Sequence, residues 1–530
     1  MRDKLILKEL CRYNIGTFAD IVYRNALLHP DDEAFVCVSQ RITFSQFNAR
    51  VNRLIHALCS LGIKKGDVLG ILAWNCIEYL DIFGAAMKGG FIASPFNPRL
   101  HMEELEYLIN YSEAKALFVG PELTETVNNL KPRIPNVKLY IALKGSVPDT
   151  ASHRELLATH PPVEPDESVL PDDPFLIFYT SGTTGVPRGA LYTHRRKLEN
   201  TKTKALEMGV KADDKHLLVL PLFHIGGDSH VWPFFCVAGC SVIMSQRSFD
   251  PAAALQVIQK EKATDMQIVP TQLNAMLGLQ DLEKYDLSSL KRIYYAASPM
   301  PVELLRKGLE VFGPIFAQGY GQTESGPHVS SLSRKAHRVI DRPVEKQEVL
   351  GSCGQPSAGV HVRVVDEKQD DVEPRIVGEI IARSDSIMVE YWRKPEKTRE
   401  VIIDGWLHTG DLGYYDEKGF IYIVDRKDDM IVTGGENVYS RQVEEVLYRH
   451  PAVDEVAVIG LPDPVWVKRV HAVIVLKEDA VVTEEDIIAF CKKHLASYKA
   501  PKSVEFAESL PKSSQGKILK RELVKKTGRG

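Results

Sequence analysis

The chain has 530 residues, of which 44% are hydrophobic and 26% charged, and its formal net charge is −4. That length exceeds one ordinary domain and calls for two or more within a soluble globular protein. The weak negative charge gives no general footprint for nucleic acid or an anionic membrane, and the most apolar run, Val231 to Met244, is broken by Pro233 and Gly239 and is too short to span a bilayer.

The first residues, Met-Arg-Asp-Lys-Leu-Ile-Leu-Lys, carry charge too early and too often for a secretory leader, and the final Gly-Arg-Gly is neither a peroxisomal nor an ER-retention address. Cysteines stand at 11, 37, 59, 76, 236, 240, 353 and 491, without a CxxC pair and mostly in apolar surroundings. They read as reduced core thiols of a cytoplasmic protein. Along the chain, strand and helix alternate: strand 34–38, a helix opened by Thr43 with Gln46 as its capping-box partner, strand 68–72, helix 77–87, strand 91–94, helix 102–110 and strand 116–119. Such alternation predicts an α/β fold, a largely parallel sheet covered by helices. A stretch rich in proline and acid, 159–174, reads as an exposed connection.

Next comes Tyr179-Thr-Ser-Gly-Thr-Thr-Gly-Val-Pro-Arg-Gly189, which reads as a phosphate-holding loop. Its glycines, Gly182, Gly185 and Gly189, bring backbone N–H groups close to an anion. Thr180, Ser181, Thr183 and Thr184 add hydroxyls, and Arg188 adds fixed charge. The apolar run Phe175-Leu-Ile-Phe-Tyr179 predicts a strand before it, so the loop leaves a strand end, where α/β sheets bind ligands. Counting on from Gly182 does not give a Walker A pattern, and a surface turn rich in Gly and Thr shares this composition. Alternation resumes at 217–220, 241–244, 266–269 and 293–296. From Val360 short strands with charged turns predict a small β region, and after Asp425-Arg-Lys-Asp-Asp429 a separate unit begins, with a helix near 443–447, strands 455–459 and 470–475, and a helix opened by Thr483.

Four more motifs follow the loop: Gly319-Tyr-Gly-Gln-Thr-Glu324; Gly405-Trp-Leu-His-Thr-Gly-Asp411; Asp425-Arg-Lys-Asp-Asp-Met-Ile-Val-Thr-Gly-Gly-Glu-Asn437; and Pro511-Lys-Ser-Ser-Gln-Gly-Lys517. Each alone is a weak signal, since such pairs usually make turns. Together and in this order, from about Thr43 to Leu519, they closely resemble the adenylate-forming superfamily of acyl-CoA synthetases, luciferases and peptide-synthetase adenylation domains. The resemblance implies a large N-terminal α/β domain of helix-covered sheets plus a small β region (1–425), a hinge (426–429) pivoting at Asp428, and a smaller mobile α+β C-terminal domain (430–530) carrying the catalytic lysine.

The same resemblance implies the chemistry. ATP activates a carboxylate as an acyl-adenylate with loss of pyrophosphate, and most members then pass the acyl group to a thiol. Two anions must meet, so catalysis is mainly positioning and charge stabilisation. The loop from Thr180 to Gly189 would hold the β- and γ-phosphates, with Arg188 where the family usually has lysine. Glu324 and Thr184 would bind Mg²⁺, which prefers oxygen ligands. Ser298, Gln318, Gly319, Tyr320, Gly321, Gln322 and Thr323 would form the nucleotide-binding segment, Tyr320 stacking on adenine. Asp411 would accept the ribose hydroxyls, supported by Arg426. Lys517 matches the family's adenylation lysine.

For the second half-reaction the resemblance places Gly434 and Gly435 along the CoA tunnel and Trp466 and Tyr498 against the CoA adenine. Val467 and Lys468 replace the usual Gly-Glu beside Trp466. On the acid side it places His224, Gly226, Gly227 and Gly326, with Gly319 and Gly321; small side chains would leave room for a bulky apolar acid, or serve backbone turns only. A lone histidine such as His224 is otherwise a packed core residue. Histidine at 224 in place of aspartate argues against an amino acid. The expected activity is an acyl-CoA synthetase using ATP, Mg²⁺ and CoA on a medium or long fatty acid. Aryl or alicyclic acids, transfer to a carrier-protein thiol, and a non-catalytic ATP-binding protein are the alternatives. No nucleic-acid or integral-membrane partner is expected, and oligomeric state is not legible.

Overall fold

A computed structural model describes residues 15–38, 40–145, 150–166, 168–180, 187–340, 342–343, 347–433, 436–512 and 518–527. They build four sheets. The first has nine strands in the order Gln355–Pro356, Gly326–Leu332, Phe316–Gln322, Arg292–Tyr295, Asp265–Ile268, Lys215–Leu218, Cys240–Ile243, Glu33–Cys37 and Gln40–Thr43. Its central pairings are parallel, as the strand–helix alternation requires. The second has eight strands, centred on the parallel neighbours Ile92–Phe96, Val68–Leu72 and Ala116–Val119, with the antiparallel hairpin Pro174–Thr180/Arg188–Thr193 toward one edge.

The expected capping box opens the helix Phe44–Ser60, with Thr43 accepting from the Gln46 N–H and Gln46 returning the bond. The helix Ile77–Gly89 is buried along its whole length, its charged Asp81 and Lys88 paired with Arg50 and Glu164. It joins a core that takes Phe35 from the first sheet and Phe118 and Phe178 from the second. The apolar run beginning at Val231 is divided between the helix Ile225–Cys236, with Pro233 inside it, and the strand Cys240–Ile243. The 159–174 connection is mainly exposed but anchored, because Glu164 meets the buried Lys88 at 2.5 Å. Cys59 departs from the core-thiol expectation by lying exposed at the end of its helix.

The two faces of the nine-stranded sheet differ in chemistry. Leu217, Met266, Ile268, Ile293, Tyr295 and Phe316 face an apolar cluster. The alternate positions His216, Asp265, Gln267, Arg292 and Tyr294 bury polar groups beneath the helices His194–Met208 and Ile225–Cys236, which pack on each other.

The expected β region is a five-stranded sheet in which His361–Val365, Gly378–Arg383 and Trp406–Tyr415 are successive antiparallel neighbours and Ile421–Arg426 pairs with the last. The C-terminal unit has the long hairpin Val453–Asp463/Val467–Leu476, the helices Ser440–Leu447 and Glu484–His494, and the capping box at Thr483. Asp425 closes the junction: its carboxylate accepts from the Ser440 hydroxyl at 3.1 Å, and Lys520 pairs with Glu444 at 2.7 Å close by. Burial alone would lower the Lys520 pKa, but Glu444 and Asp425 outweigh it and raise it.

Candidate active site

The strand hairpin brings Thr180 opposite Arg188. Between them, Ser181, Gly182, Thr183, Thr184 and Gly185 lie outside the described residues. The Thr180 hydroxyl oxygen is buried without a hydrogen-bond partner among the described residues. The Arg188 guanidinium lies over the Tyr391 ring, 5.3 Å from its centroid, and the Tyr391 hydroxyl donates to Glu324 Oε1 at 2.8 Å. Burial, reinforced by the Glu324 charge, raises the Tyr391 pKa, so it stays a donor. Tyr192 works on the same turn. Its hydroxyl donates to the Thr323 carbonyl and accepts the Gly326 N–H at 2.9 Å. Neither tyrosine was singled out in the sequence. The signal for Tyr192 was its place in the strand that follows the loop; Tyr391 arrives through a two-residue edge strand, Glu390–Tyr391, that no pattern marks.

The strand Phe316–Gln322 carries Gln318, Gly319, Tyr320 and Gly321 toward its C-terminal end. Tyr320 donates to Asp411 Oδ2 at 2.6 Å, and Gln322 Nε2 donates to the same oxygen at 2.7 Å and to the Thr409 carbonyl at 2.8 Å. Arg426 Nε meets the other oxygen, Oδ1, at 2.6 Å. A carboxylate offers about four acceptor sites, so roughly one is left for a ligand hydroxyl. Burial, followed by the charge of Asp411, drives the Tyr320 pKa well up. Ser298 lies half-buried just beyond the strand Arg292–Tyr295, after Ala297 in the left-handed region at φ 72°. The Gln318 Oε1 is buried without a partner among the described residues. Thus Tyr320, Gln322, Asp411 and Arg426 converge, while Glu324 and Arg188 converge through Tyr391 a few residues away.

The glycines correct the expectation of room for an acyl chain. A Cβ at Gly227 would lie 2.2 Å from the Pro221 carbonyl oxygen, at Gly319 1.7 Å from the Tyr294 hydroxyl, and at Gly321 2.6 Å from the Gly326 carbonyl oxygen. Gly326 sits at φ 70°, and a Cβ there would lie 2.8 Å from both Asn200 Nδ2 and the Ser386 carbonyl oxygen. These four permit close approach or a turn rather than open space. Of this set only Gly226 would accept a Cβ without a clash, the nearest atoms being Gln267 Nε2 at 3.7 Å and Leu220 at 3.8 Å. His224 precedes the helix Ile225–Cys236, its ring 4.7 Å from that of Phe223, which in turn meets Trp74. Desolvation, with the nearby Arg99 charge, holds its pKa down to about 3, so it is neutral.

In the C-terminal unit, Gly434, Gly435 and Lys517 lie outside the described residues. Asp428 is exposed and 3.6 Å from Arg521. Trp466 and Tyr498 are exposed aromatics, each with a lysine over its ring, Lys502 at 5.6 Å and Lys499 at 5.7 Å. Val467, which stands where glycine was expected, adopts φ 70°.

Residues 22–392 match the family described as AMP-binding enzyme, and residues 442–517 match the AMP-binding enzyme C-terminal domain. A feruloyl-CoA synthase of Amycolatopsis sp is 35% identical over 509 residues, covering 95% of this chain and 98% of the relative. A long-chain-fatty-acid–CoA ligase of Mycobacterium tuberculosis is 35% identical over 519 residues, covering 96% and 97%. Among solved structures, an anthranilate CoA ligase in complex with anthranoyl-AMP superposes with a TM-score of 0.87 at 28% identity, covering 96% of each chain.

Proposed function

The chain belongs to the AMP-binding enzymes and is an AMP-forming acid–thiol ligase, and from that premise we propose that it converts a carboxylic acid and ATP to an acyl-adenylate and pyrophosphate and then transfers the acyl group to CoA. The observation that carries this reading is the Tyr320–Asp411–Arg426 cluster beside the Glu324–Tyr391–Arg188 cluster. The first offers a buried carboxylate with one free acceptor site to a sugar hydroxyl, beside an aromatic ring. The second joins a carboxylate and a cation through one tyrosine.

Each residue answers a need of the reaction. A carboxylate is a poor electrophile, and a mixed acyl–phosphate anhydride bond to AMP gives it a leaving group. Its oxygen attacks the α-phosphorus, the bond to the pyrophosphate oxygen breaks, and pyrophosphate leaves with the electron pair. Arg188 and Lys517 would offset the charge that accumulates. Glu324, oriented by Tyr391, and Thr184 would hold magnesium, which would screen the phosphates. In the second step the CoA sulfur attacks the acyl carbon and AMP leaves. Trp466 and Tyr498 would meet the CoA adenine, and Gly434 and Gly435 would line its path. The C-terminal unit from 430 would turn about Asp428 between the two steps.

The acid is a fatty acid or an aryl acid. A fatty acid is supported by likeness to fatty-acid–CoA ligases, an aryl acid by equal likeness to a feruloyl-CoA synthase. Release of pyrophosphate from ATP, measured across a panel of both acid types with and without CoA, tests the assignment. No release with any acid would refute it.

A further inference from the structure

The helix His194–Met208 buries a polar stripe. Lys197, Asn200 and Lys204 recur at the three- and four-residue spacing that shares a helix face, each about 1% exposed. Lys197 has a carboxylate partner, Asp228. Lys204 has neutral ones: its ammonium reaches Gln267 Oε1 at 2.9 Å and Ser229 Oγ at 3.3 Å and lies over the Tyr294 ring, and no ion pair forms with it among the described residues. Among the described residues neither end of the Asn200 amide has a hydrogen-bond partner, and His328, bonded through Nδ1 to the Tyr294 hydroxyl at 3.0 Å, has none at Nε2. Desolvation pulls the Lys204 pKa well below its ordinary value. Apolar side chains would pack this face at less cost, so stability alone does not account for it.

The position of the stripe relates it to the site. On the polar sheet face, Asp265 is closed off by Arg292 and by His230 at 2.6 Å. One pleat further toward the strand ends, Gln267 and Tyr294 lie in register. The Tyr294 hydroxyl occupies the space beside Gly319, and Gln267 Nε2 would be in van der Waals contact, at 3.7 Å, with a Cβ at Gly226. Lys204 touches both of these residues. Through them it stands one side chain behind the Gly226 and Gly319 backbone.

Resting on the ligase reading above, we propose that the acid carries a second carboxylate at the end remote from the one activated, and that Lys204 and Asn200 receive it. The Ser229 hydroxyl is spent on the Gly226 carbonyl and the Tyr294 hydroxyl on His328, but the ammonium keeps a third N–H and the Asn200 amide both of its own, and these match an anionic acceptor. A plain alkyl end at this place would leave the Asn200 amide unpartnered and the Lys204 charge without a counter-charge, which a polar site penalises strongly.

The test is acid-dependent ATP–pyrophosphate exchange by the full chain. Hexanoic, octanoic and decanoic acids are compared with adipic, suberic and sebacic acids, and phenylpropanoic acid with its para-carboxy analogue. The wild type should favour at least one diacid over its matched monoacid by about tenfold or more in kcat/KM. K204M should lose that preference, chiefly through KM for the diacid, and K204Q should fall between. Unfolding temperatures of both variants separate specificity from misfolding, and the wild-type ratios stand without them. Exchange favouring monoacids throughout, or an unchanged ratio in a folded K204M, would overturn the role of Lys204. Exchange with none of the acids would instead strike at the ligase reading itself.

Discussion

Tyr320 and Asp411, 91 residues apart in the chain, meet hydroxyl to carboxylate at 2.6 Å. The bond ties the nine-stranded sheet to the small five-stranded one at the point where Arg426 begins the connection to the C-terminal unit. A neutral donor to a buried carboxylate contributes about 1.5–3 kcal/mol. Y320F keeps the ring and removes the donor. It should raise KM for ATP by roughly tenfold, at about 1.4 kcal/mol per factor of ten, while KM for the acid moves little. Equal changes in both constants would detach Tyr320 from the nucleotide.

Val467 is a β-branched residue at φ 70° and is 70% exposed, so it holds a strained backbone with little packing in return. The left-handed region costs an L-residue about 1–2 kcal/mol, and glycine's freedom in the unfolded chain offsets about 0.4–1 of that. V467G should therefore stabilise the C-terminal unit by about 0.5–1 kcal/mol, read as a higher urea midpoint with an unchanged slope. A lower midpoint would mean that the Val467 side chain has a packing role.

Much of this was legible because local chemistry fixes it. The Thr43–Gln46 and Thr483–Asp486 caps need only a few neighbouring residues, and the ordered glycine and acid motifs give the family. What stayed hidden depends on residues brought together across the sheets. The helix His194–Met208 has no continuous apolar stripe, and the burial of its Lys197 and Lys204 follows only from the polar sheet face beneath them. The glycines around Tyr320 read as space, yet Gly319 is filled by a tyrosine hydroxyl from the next strand and Gly326 by a helix amide.

The glycines separate under substitution. G319A would force a methyl group against the Tyr294 hydroxyl and should cost about 1–3 kcal/mol of stability. G226A meets nothing closer than 3.7 Å, so its unfolding temperature should hardly move, while its ranking of acids by kcat/KM should change. Equal loss of stability in both would contradict the difference in space at the two positions.

Acid should destabilise the fold through buried histidines. Burial holds His194 and His328, both fully buried, down to about 3. Their folded-state pKa values lie below the ordinary 6.5. The unfolded chain therefore binds a proton at each that the folded chain refuses, and stability is lost as pH falls from about 6.5 toward 3. Each contributes a slope of up to about 1.4 kcal/mol per pH unit. H194F, whose ring would lie on Phe175, should flatten the fall in urea midpoint between about pH 7 and pH 5. An unchanged pH dependence would show that His194 is protonated in the fold.

The most direct test of the ligase reading mixes enzyme with ATP, magnesium and an accepted acid, and follows products before and after CoA is added. Without CoA, pyrophosphate should appear in a burst of about one equivalent per active site, with the acyl-adenylate held in place. On adding CoA, AMP and acyl-CoA should form together at a steady rate. Formation of ADP and orthophosphate, or steady AMP release that ignores CoA, would contradict it.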